Sequence, residues 1–377
     1  MSVKPICVGV VGSGIISSIY LKNMSGRFEI LKVKGLCSAH PENARRRADE
    51  FDIHAYASLE DMLSDAEIDL VVNLTPAPAH EQVIRAALEA GKHVYTEKTM
   101  TTGHESARAL CELAARRGLW LGSAPDTFLG AALQTARRAI DDGLIGEVTS
   151  FAFAANRDNS FLTSFFRFLN LPFGGVAYDY SVYYLTALCS LLGPVARVAA
   201  AVRAPYPTHE DIDPNSPTYK KPISTPNESE ISAVLTLASG VSGTAHVNAD
   251  SVIADQSFFA IYGTGGILYL PDPNGFGGEV RLQPNWAFDQ PAAPARALEC
   301  PFGYADNSRG VGPAELAWSI RAGRPARAGA DMACHVLEVI DAIIQSGSTG
   351  GFVSVDSRFE RPAPLNAPAD GEESSLK

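Results

Sequence analysis

The stretch Ile6–Ser17, with the sequence ICVGVVGSGIIS, decides the fold of this chain. Its first six residues form an apolar run typical of a parallel strand that is buried on both faces. Gly12 allows a tight turn that other residues resist, and Gly14 has no Cβ to obstruct a diphosphate. Apolar residues at helical spacing begin with Ile15 and Ile16. A strand, a glycine turn and a helix N-terminus together predict an anion site suited to a dinucleotide.

The glycine fingerprint of this stretch is incomplete. Ser17 stands where G-x-G-x-x-G has its third glycine, although serine is small enough for close packing of helix on strand. A glycine turn between any strand and helix is the alternative interpretation. The position near the N-terminus, with further strand–helix units behind it, favours the dinucleotide site.

Composition excludes several classes of function. The 377 residues are 46% hydrophobic and 19% charged, which predicts two domains with sizeable cores. A net charge of −11 disfavours nucleic acid as a partner. The six cysteines form no C-x-x-C pair and the eight histidines are not clustered, so we expect no metal site and a reducing compartment. No apolar run approaches the ~20 residues of a membrane helix, and we therefore expect a cytoplasmic protein without membrane contact.

Residues 6–124 alternate between strand and helix patterns, which predicts an α/β domain with a doubly wound parallel sheet of the Rossmann type. Strand patterns dominate afterwards and predict an α+β domain with a mostly antiparallel open sheet. The predicted units are a dinucleotide-binding domain at 1–124, a substrate-binding and oligomerisation domain at 125–361, and a disordered polar tail at 362–377. Residues 203–227 are rich in proline and polar residues and predict a long loop.

Local signals add four more predictions, two capping boxes and two helices. Ser58 and Asp61 predict a capping box, and Thr102 with Glu105 predicts another. Helices are expected over residues 177–192 and 332–345.

Four motifs resemble one known family, the two-domain glucose–fructose oxidoreductase, inositol dehydrogenase and rhizopine-catabolism (Gfo/Idh/MocA) oxidoreductases. The resemblance covers nearly the whole chain and implies oxidation of a sugar or cyclitol hydroxyl with NAD or NADP. The motifs are GSG at residues 12–14, Asn73-Leu74-Thr75-Pro76 with His80, AGKHVYTEK at residues 90–98, and Gly174-Gly175 followed by Asp179.

Lys98 follows a predicted parallel strand, where a doubly wound sheet places its ligands. A hydroxyl that loses hydride from its carbon also loses a proton, and a nearby ammonium group stabilises the developing alkoxide. The resemblance implies that Lys98 is the catalytic lysine of the family motif E-K-P, in which Thr99 here replaces the proline. Without the resemblance, an exposed lysine at a strand end is the simpler interpretation.

Asp179 and Tyr183 are four residues apart and share one face of a helix. The family pattern G-G-x-x-x-D-x-x-x-H implies a substrate-binding aspartate and an acid/base histidine. Asp179 matches, whereas Tyr183 replaces the histidine, which we interpret as a subgroup feature. Tyrosine, with an ordinary pKa of about 10, needs a nearby cation to act as a base. Asp179 is the alternative proton acceptor, while Tyr180 and Tyr184 are expected only to pack.

The remaining site residues follow from strand ends and from the resemblance. The absence of an acid after the second predicted strand, with Ser38 and the Arg45–Arg47 cluster nearby, slightly favours acceptance of NADP, but the choice between NAD and NADP stays open. Asn156 and Arg157 end a strand and could bind sugar hydroxyls or belong to a solvated loop. The predicted cofactor-binding residues are Gly12, Gly14, Ile15, Ile16, Ser38, Asn73, Thr75, Pro76, His80, Glu97, Lys98 and Thr127, and the predicted substrate-binding residues are Lys98, Asn156, Arg157, Asp179 and Tyr183.

The sequence thus predicts an NAD(P)-dependent oxidoreductase acting on a secondary hydroxyl of a sugar, glycoside or cyclitol. Two alternatives stay open: a lyase or glycosidase-type enzyme that oxidises its substrate transiently with tightly bound NAD(P), and a nucleotide-binding relative without catalysis. The half-covered sheet of the second domain would expose apolar surface, and together with the resemblance this predicts a homodimer or homotetramer.

Overall fold

The computed structural model describes residues 4–252, 257–286, 291, 293–366 and 376. Alternating strands and helices begin the chain, in the order β1 (Ile6–Val11), α1 (Ile15–Gly26), β2 (Leu31–Cys37), α2 (Pro41–Phe51), β3 (His54–Ala55), α3 (Leu59–Ser64), β4 (Leu70–Asn73), α4 (Ala77–Glu89), β5 (His93–Thr96), α5 (His104–Arg117) and β6 (Leu121–Ser123). A strand-rich part follows, with α6 (Ala131–Asp141), β7 (Val148–Asn156), α7 (Asn159–Phe165), α8 (Val182–Leu192), β8 (Val195–Arg203), β9 (Thr208–Glu210), β10 (Pro222–Ser224), β11 (Glu230–Leu237), β12 (Ser242–Asn248), β13 (Phe258–Gly263), β14 (Gly266–Leu270), β15 (Arg281–Pro284), β16 (Arg296–Ala297), α9 (Val311–Ala322), α10 (Ala330–Thr349) and β17 (Val353–Ser354).

The described residues divide into two compact units that are each discontinuous in sequence. The first unit joins the residues up to Gly130 with 302–334 and with the described residues after 361. The second unit comprises the described residues of 131–301 and 335–361. The sequence predicts continuous domains, whereas 302–334 packs with the first unit through α9.

The first unit is built on a parallel six-stranded sheet with the order β3-β2-β1-β4-β5-β6. This is the doubly wound arrangement that the sequence predicts, and it is confirmed. Val8, Val10 and Leu70 are fully buried in its centre. The strand order reverses between β1 and β4, so the carboxyl ends of these strands border the crevice where such sheets bind ligands.

The second unit is built on a nine-stranded sheet with the order β16-β15-β14-β13-β7-β12-β11-β8-β17. Only the β7–β12 pair is parallel, which confirms the predicted, mostly antiparallel sheet. Strand residues alternate between a buried and an outward face, as they must when one face is packed. Phe153 of β7 lies on the buried face and stacks on Tyr184 of α8 with ring centroids 5.1 Å apart. The expected packing role of Tyr184 is therefore confirmed.

Some local predictions need correction. The Ser58 hydroxyl accepts a hydrogen bond from the Asp61 N–H at 3.1 Å, as predicted, but Thr102 caps no helix. Helix α5 begins after Gly103, which provides no side-chain cap. Helix α9 is absent from the predictions because nearly every residue of its first two turns is buried, which leaves no amphipathic period to recognise.

The predicted loop at 203–227 contains a short hairpin in which β9 and β10 pair antiparallel. The predicted helix at 177–192 begins with a π-helical turn over Ala177–Ser181 before α8. The helix predicted at 332–345 lies inside the longer α10. Most of the tail at 362–377 lies outside the described residues.

Candidate active site

The turn after β1 has the geometry that a bound diphosphate requires. Gly12 has φ +109°, and a Cβ at this position would lie 2.7 Å from the carbonyl oxygen of Leu74. Gly14 precedes α1, whose N-terminus has no side-chain cap and no acidic residue in its first turn. A Cβ at Gly14 would meet nothing within 4 Å, and the neighbouring Ile15 is 89% exposed. The turn is thus open on the side of Gly14, next to an uncapped helix N-terminus, so the residues present fit a dinucleotide phosphate.

Ser17 explains how the incomplete fingerprint is accommodated. Its side chain is fully buried, and its hydroxyl donates a hydrogen bond of 2.7 Å to the carbonyl oxygen of Gly14. The hydroxyl that serine adds at the position of the third glycine therefore has a hydrogen-bond partner although it is buried.

Polar side chains join the carboxyl ends of β4 and β5. The Asn73 amide is fully buried and donates to the Thr96 hydroxyl at 3.0 Å. Its carbonyl oxygen accepts from the Thr75 hydroxyl at 2.7 Å and from the Thr75 N–H at 3.2 Å. Asn73 and Thr75 thus shape the loop that leads through Pro76 into α4, and any contact with a cofactor would be additional to this role.

His80 connects this loop to the one that carries Lys98. The imidazole is fully buried, with Nε2 at 2.7 Å from the Thr75 carbonyl oxygen and Nδ1 at 2.6 Å from the Thr99 carbonyl oxygen. Burial lowers the pKa of His80, although the two carbonyl groups oppose this shift. The structure therefore gives His80 a positioning role, and its predicted contact with the cofactor stays a prediction.

Glu97 is held from two directions. Its Oε1 accepts a hydrogen bond of 2.8 Å from the Tyr20 hydroxyl, and its Oε2 accepts one of 2.9 Å from the Lys98 N–H. Tyr20 is fully buried, and burial together with the Glu97 charge holds its pKa well above the ordinary value. The Lys98–Thr99 peptide bond is cis, although Thr99 replaces the proline of the family motif. Tyr20 belongs to α1, whose helical spacing in the sequence carries no signal for a contact with Glu97.

A buried carboxyl group follows β6. Asp126 is 2% exposed, and its Oδ2 accepts a hydrogen bond of 2.9 Å from the N–H of Gly312. Burial is the main cause that raises the pKa of Asp126 to about 6, with the Glu97 charge adding to the shift. The predicted cofactor residue Thr127 lies next to it and is also buried. No pattern in the sequence indicates that the pKa of Asp126 is raised.

The end of β2 carries the groups that bear on the choice between NAD and NADP. Ser38 is half-buried, and its hydroxyl accepts from the His40 N–H at 3.3 Å. On α2, Arg45 and Arg46 are exposed, whereas Arg47 forms an ion pair of 2.6 Å with Glu50. The predicted arginine cluster is thus divided into two solvent-facing arginines and one that is already paired.

The second unit brings together two residues that the sequence predicted separately. Arg157 Nη1 lies 3.7 Å from Asp179 Oδ2, and the guanidinium carbon lies 4.1 Å from the centre of the Tyr180 ring. The Tyr180 hydroxyl in turn donates to Asp272 at 2.7 Å. Asn156 lies at the end of β7, directly before Arg157. Arg157 and Asp179 therefore form one charged site at the end of a strand.

The glycine pair before this site has a local structural reason. A Cβ on Gly175 would overlap the carboxylate of Glu228, which accepts a hydrogen bond of 3.0 Å from the Ala177 N–H. Glu228 therefore caps the π-helical turn that carries Asp179, and Gly175 makes room for it. Single π-helical turns occur frequently at functional sites. The predicted α-helical face shared by Asp179 and Tyr183 is thus replaced by this wider turn.

The neighbouring tyrosines differ in their roles. Tyr178 donates to Asp341 at 2.7 Å, and Tyr180 contacts the rings of both Tyr183 and Tyr184. Tyr183 itself is 8% exposed. Tyr178 and Tyr184 are committed to packing, and Tyr180 supports Arg157.

The site residues thus fall into two groups. The first unit carries the glycine turn, the strand-end loops and Lys98, and the second carries Arg157, Asp179 and Tyr183. Among the described residues, no cluster of three or more His, Cys, Asp or Glu side chains is placed to hold a metal ion. Nor does the described part of the chain contain a helix that is long and apolar enough to cross a membrane.

Two parts of the chain match models of known protein families. Residues 6–124 match the model of an oxidoreductase family with an NAD-binding Rossmann fold, and residues 133–269 match the GFO/IDH/MocA C-terminal domain.

Curated relatives include an uncharacterised oxidoreductase of Schizosaccharomyces pombe, which is 28% identical over 53% of this chain and 55% of its own. Another is scyllo-inositol 2-dehydrogenase (NADP(+)) IolW of Bacillus subtilis, 25% identical over 56% of this chain and 58% of its own. The chain spans about half the length of the curated relatives it matches. A solved levoglucosan dehydrogenase in complex with NADH has the same fold, with a TM-score of 0.80 at 18% identity over 94% of this chain and all of that one.

The buried Asp126 predicts a specific dependence of stability on pH. Because its pKa is about 6 in the folded protein and near 3.8 when unfolded, the folded state holds the extra proton between these values. As pH rises from 4 to 7, the free energy of unfolding of the wild type should therefore fall by about 2 kcal/mol relative to that of an Asp126→Asn variant, which keeps an acceptor for Gly312. Denaturant unfolding of both proteins at each pH measures this difference. Asp49→Asn, at an exposed position, is the matched control. If the free energies of unfolding of the wild type and of Asp126→Asn differ by the same amount from pH 4 to 7, the raised pKa of Asp126 is contradicted.

Proposed function

Because the chain belongs to the Gfo/Idh/MocA oxidoreductase family, we propose that it is an NAD(P)-dependent dehydrogenase acting on a secondary hydroxyl of a sugar, glycoside or cyclitol. The observation that carries this proposal is the position of Lys98 at the carboxyl edge of the parallel sheet, the edge that also carries the open glycine turn. Relatives named as an inositol dehydrogenase and a dTDP-sugar 3-reductase support a substrate of the cyclitol or sugar class.

The dinucleotide would be held by the glycine turn at its phosphates and by Asn73, Thr75, Glu97 and Thr127 near its reactive end. When bound, a nicotinamide cofactor accepts or gives the hydride. The Lys98 ammonium group stabilises the negative charge that develops on the substrate oxygen. Tyr20 and the Lys98 N–H fix the Glu97 carboxylate, which in turn fixes the backbone from which the lysine side chain extends.

In the second unit, Asp179 orients the substrate. The guanidinium of Arg157 lies 3.7 Å from this carboxylate, which can accept hydrogen bonds from sugar hydroxyls. Tyr183 is the candidate for the proton transfer, with Asp179 as the alternative. Arg157 and Asn156 lie at the same strand end and would contact further hydroxyls.

We also propose that the protein is a homo-oligomer that functions in a reducing compartment such as the cytoplasm. The outward face of the nine-stranded sheet presents small and apolar side chains, including Val234 and Phe258, each about 40% exposed. Strand faces of this kind are commonly covered by another subunit. All six cysteines are among the described residues, and none forms a disulfide there.

Substitution of the proposed catalytic lysine tests the reaction. Lys98→Met keeps the aliphatic stem but removes the charge, so cofactor binding should persist while turnover falls by roughly 100- to 1000-fold, the usual effect of losing one oxyanion-stabilising group. Reduced-cofactor absorbance on a panel of sugars, glycosides and cyclitols measures turnover, and fluorescence titration measures binding. Lys32→Met, at the opposite end of the sheet, is the control. Near-normal turnover of Lys98→Met would remove Lys98 from the mechanism. A cofactor that copurifies with the wild type and cycles without net reduction would favour the alternative enzyme that oxidises its substrate transiently.

The cofactor preference can be tested at the end of β2. We expect NADPH to bind at least as tightly as NADH, because no acid follows β2 and two exposed arginines lie nearby on α2. The double variant Arg45→Ala/Arg46→Ala should weaken NADPH binding roughly tenfold, since charge-assisted bonds to phosphate are lost, and should spare NADH. Arg47→Ala is the matched control because this arginine is paired with Glu50. Much tighter binding of NADH than NADPH to the wild type would refute the preference.

The oligomer is tested by light scattering coupled to size exclusion. The wild type should elute as a dimer or tetramer, and Val234→Glu should shift it toward the monomer by burying a charge in the interface. Val252→Glu alters a valine that is 69% exposed outside any strand and should leave the mass unchanged. A monomeric wild type at micromolar concentration would rule out the proposed interface.

A further inference from the structure

The segment of residues 158–173, here called the aromatic segment, exposes an unusual amount of apolar surface. It links the strand end at Arg157 to the glycine pair at Gly174-Gly175 and contains α7. Monomeric proteins seldom expose contiguous apolar surface without a function for it. The side chains concerned, with their exposed fractions, are Phe161 38%, Phe165 44%, Phe166 41%, Phe168 54%, Leu171 51% and Phe173 44%.

The aromatic segment is anchored by its polar groups, which leaves the rings outside. Arg167 forms an ion pair of 2.6 Å with Asp211, whose side chain is fully buried. The Asn227 amide donates to the carbonyl oxygens of Leu169 and Leu171 at 2.9 and 2.7 Å. The Ser164 hydroxyl accepts from the Ile212 N–H at 3.0 Å. These bonds tie the segment to the 203–229 region, so the phenylalanines form a fixed surface.

The exposed rings contact one another in pairs. Phe161 and Phe165 have centroids 4.9 Å apart, and those of Phe166 and Phe168 are 6.3 Å apart. Both distances lie in the range of favourable aromatic pairs. The segment thus offers adjacent ring faces and edges of the kind that bind another flat apolar group.

The aromatic segment adjoins the charged site of the second unit along the chain and through one ring contact. The segment begins directly after Arg157, and its last ring, Phe173, lies edge-on to Tyr178 at 5.5 Å. Tyr178 precedes Asp179 in the π-helical turn. Apolar surface therefore adjoins both partners of the Arg157–Asp179 pair.

We propose that the aromatic segment binds the apolar aglycone of a glycoside whose sugar hydroxyls are held by Arg157 and Asp179. The inference rests on the proposed function and adds the substrate class to it. A substrate with a phosphate or carboxylate beside the sugar fits less well, because the one cationic side chain of the segment, Arg167, is already paired with Asp211. A phenyl or alkyl group would instead bury its own apolar surface and that of several phenylalanines.

Matched pairs of glycosides test the inference. Methyl and phenyl glycosides of glucose, galactose, mannose and xylose, in both anomeric forms, are titrated calorimetrically into the full-length protein. In at least one pair the phenyl glycoside should bind about tenfold more tightly, with a more negative heat-capacity change, because additional apolar area is buried. The same pair should differ in KM more than in kcat if the sugar is oxidised.

Substitutions locate the effect. The double variant Phe161→Ser/Phe165→Ser, and separately Phe168→Ser at the most exposed ring, should reduce the phenyl-to-methyl affinity ratio toward one. Two different variants keep the test valid if one of them fails to fold. Phe352→Ser is the matched control, because Phe352 is 58% exposed in the same unit but contacts Arg197 at the far edge of the sheet.

Each result decides between alternatives. Equal affinity for methyl and phenyl partners in every pair would overturn the inference, as would an unchanged ratio in the variants. Variants that change the oligomeric mass and leave the ratio intact would show that the segment is covered by a second copy instead. Oxidation of sugars without a preference for the phenyl glycoside would overturn only this inference. Tighter binding of the phenyl glycoside without oxidation of any panel member would support this inference and overturn the proposed function.

Discussion

The buried imidazole of His80 is the contact on which the geometry of the first unit depends. It lies within hydrogen-bond distance of one carbonyl oxygen after β4 and another after β5, so it joins the loop of Thr75 to the loop of Thr99. A neutral ring can donate to only one of these oxygens, and burial favours the neutral ring by lowering the pKa. The position of Lys98, one residue before Thr99, therefore depends on a side chain that no substrate needs to touch.

Three carboxyl groups, of which Asp126 is buried and Glu97 and Glu228 are half-buried, each accept hydrogen bonds from particular donors. Glu97 has the Tyr20 hydroxyl and the Lys98 N–H, Asp126 has the Gly312 N–H, and Glu228 has the Ala177 N–H. Backbone N–H groups stabilise a carboxylate without the side-chain entropy that an ion pair costs. Asp179, which we propose to bind the substrate, is instead paired with Arg157.

The second unit combines a charged site with apolar surface at its border. Arg157 is held between the Asp179 carboxylate and the Tyr180 ring, while Tyr180 is fixed by its bond to Asp272. A guanidinium restrained on both sides loses little further freedom when it binds a ligand. The exposed phenylalanines that follow are fixed by polar anchors in the same way, so both parts of the proposed substrate site are ordered before the substrate arrives.

The sequence by itself determined the parallel sheet, the glycine turn and the second, mostly antiparallel sheet. These features follow from local rules, because apolar runs, helical spacing and a glycine that allows a positive φ at position 12 can all be recognised in consecutive residues. Only the tertiary structure decided that residues 302–334 return to the first unit, that Tyr20 holds Glu97, and that Arg157 pairs with Asp179. It also decided that the helix at Asp179 starts with a π-helical turn around the Glu228 carboxylate. Contacts between residues 22 to 186 positions apart leave no periodic signal in the chain, because they depend on how the elements pack.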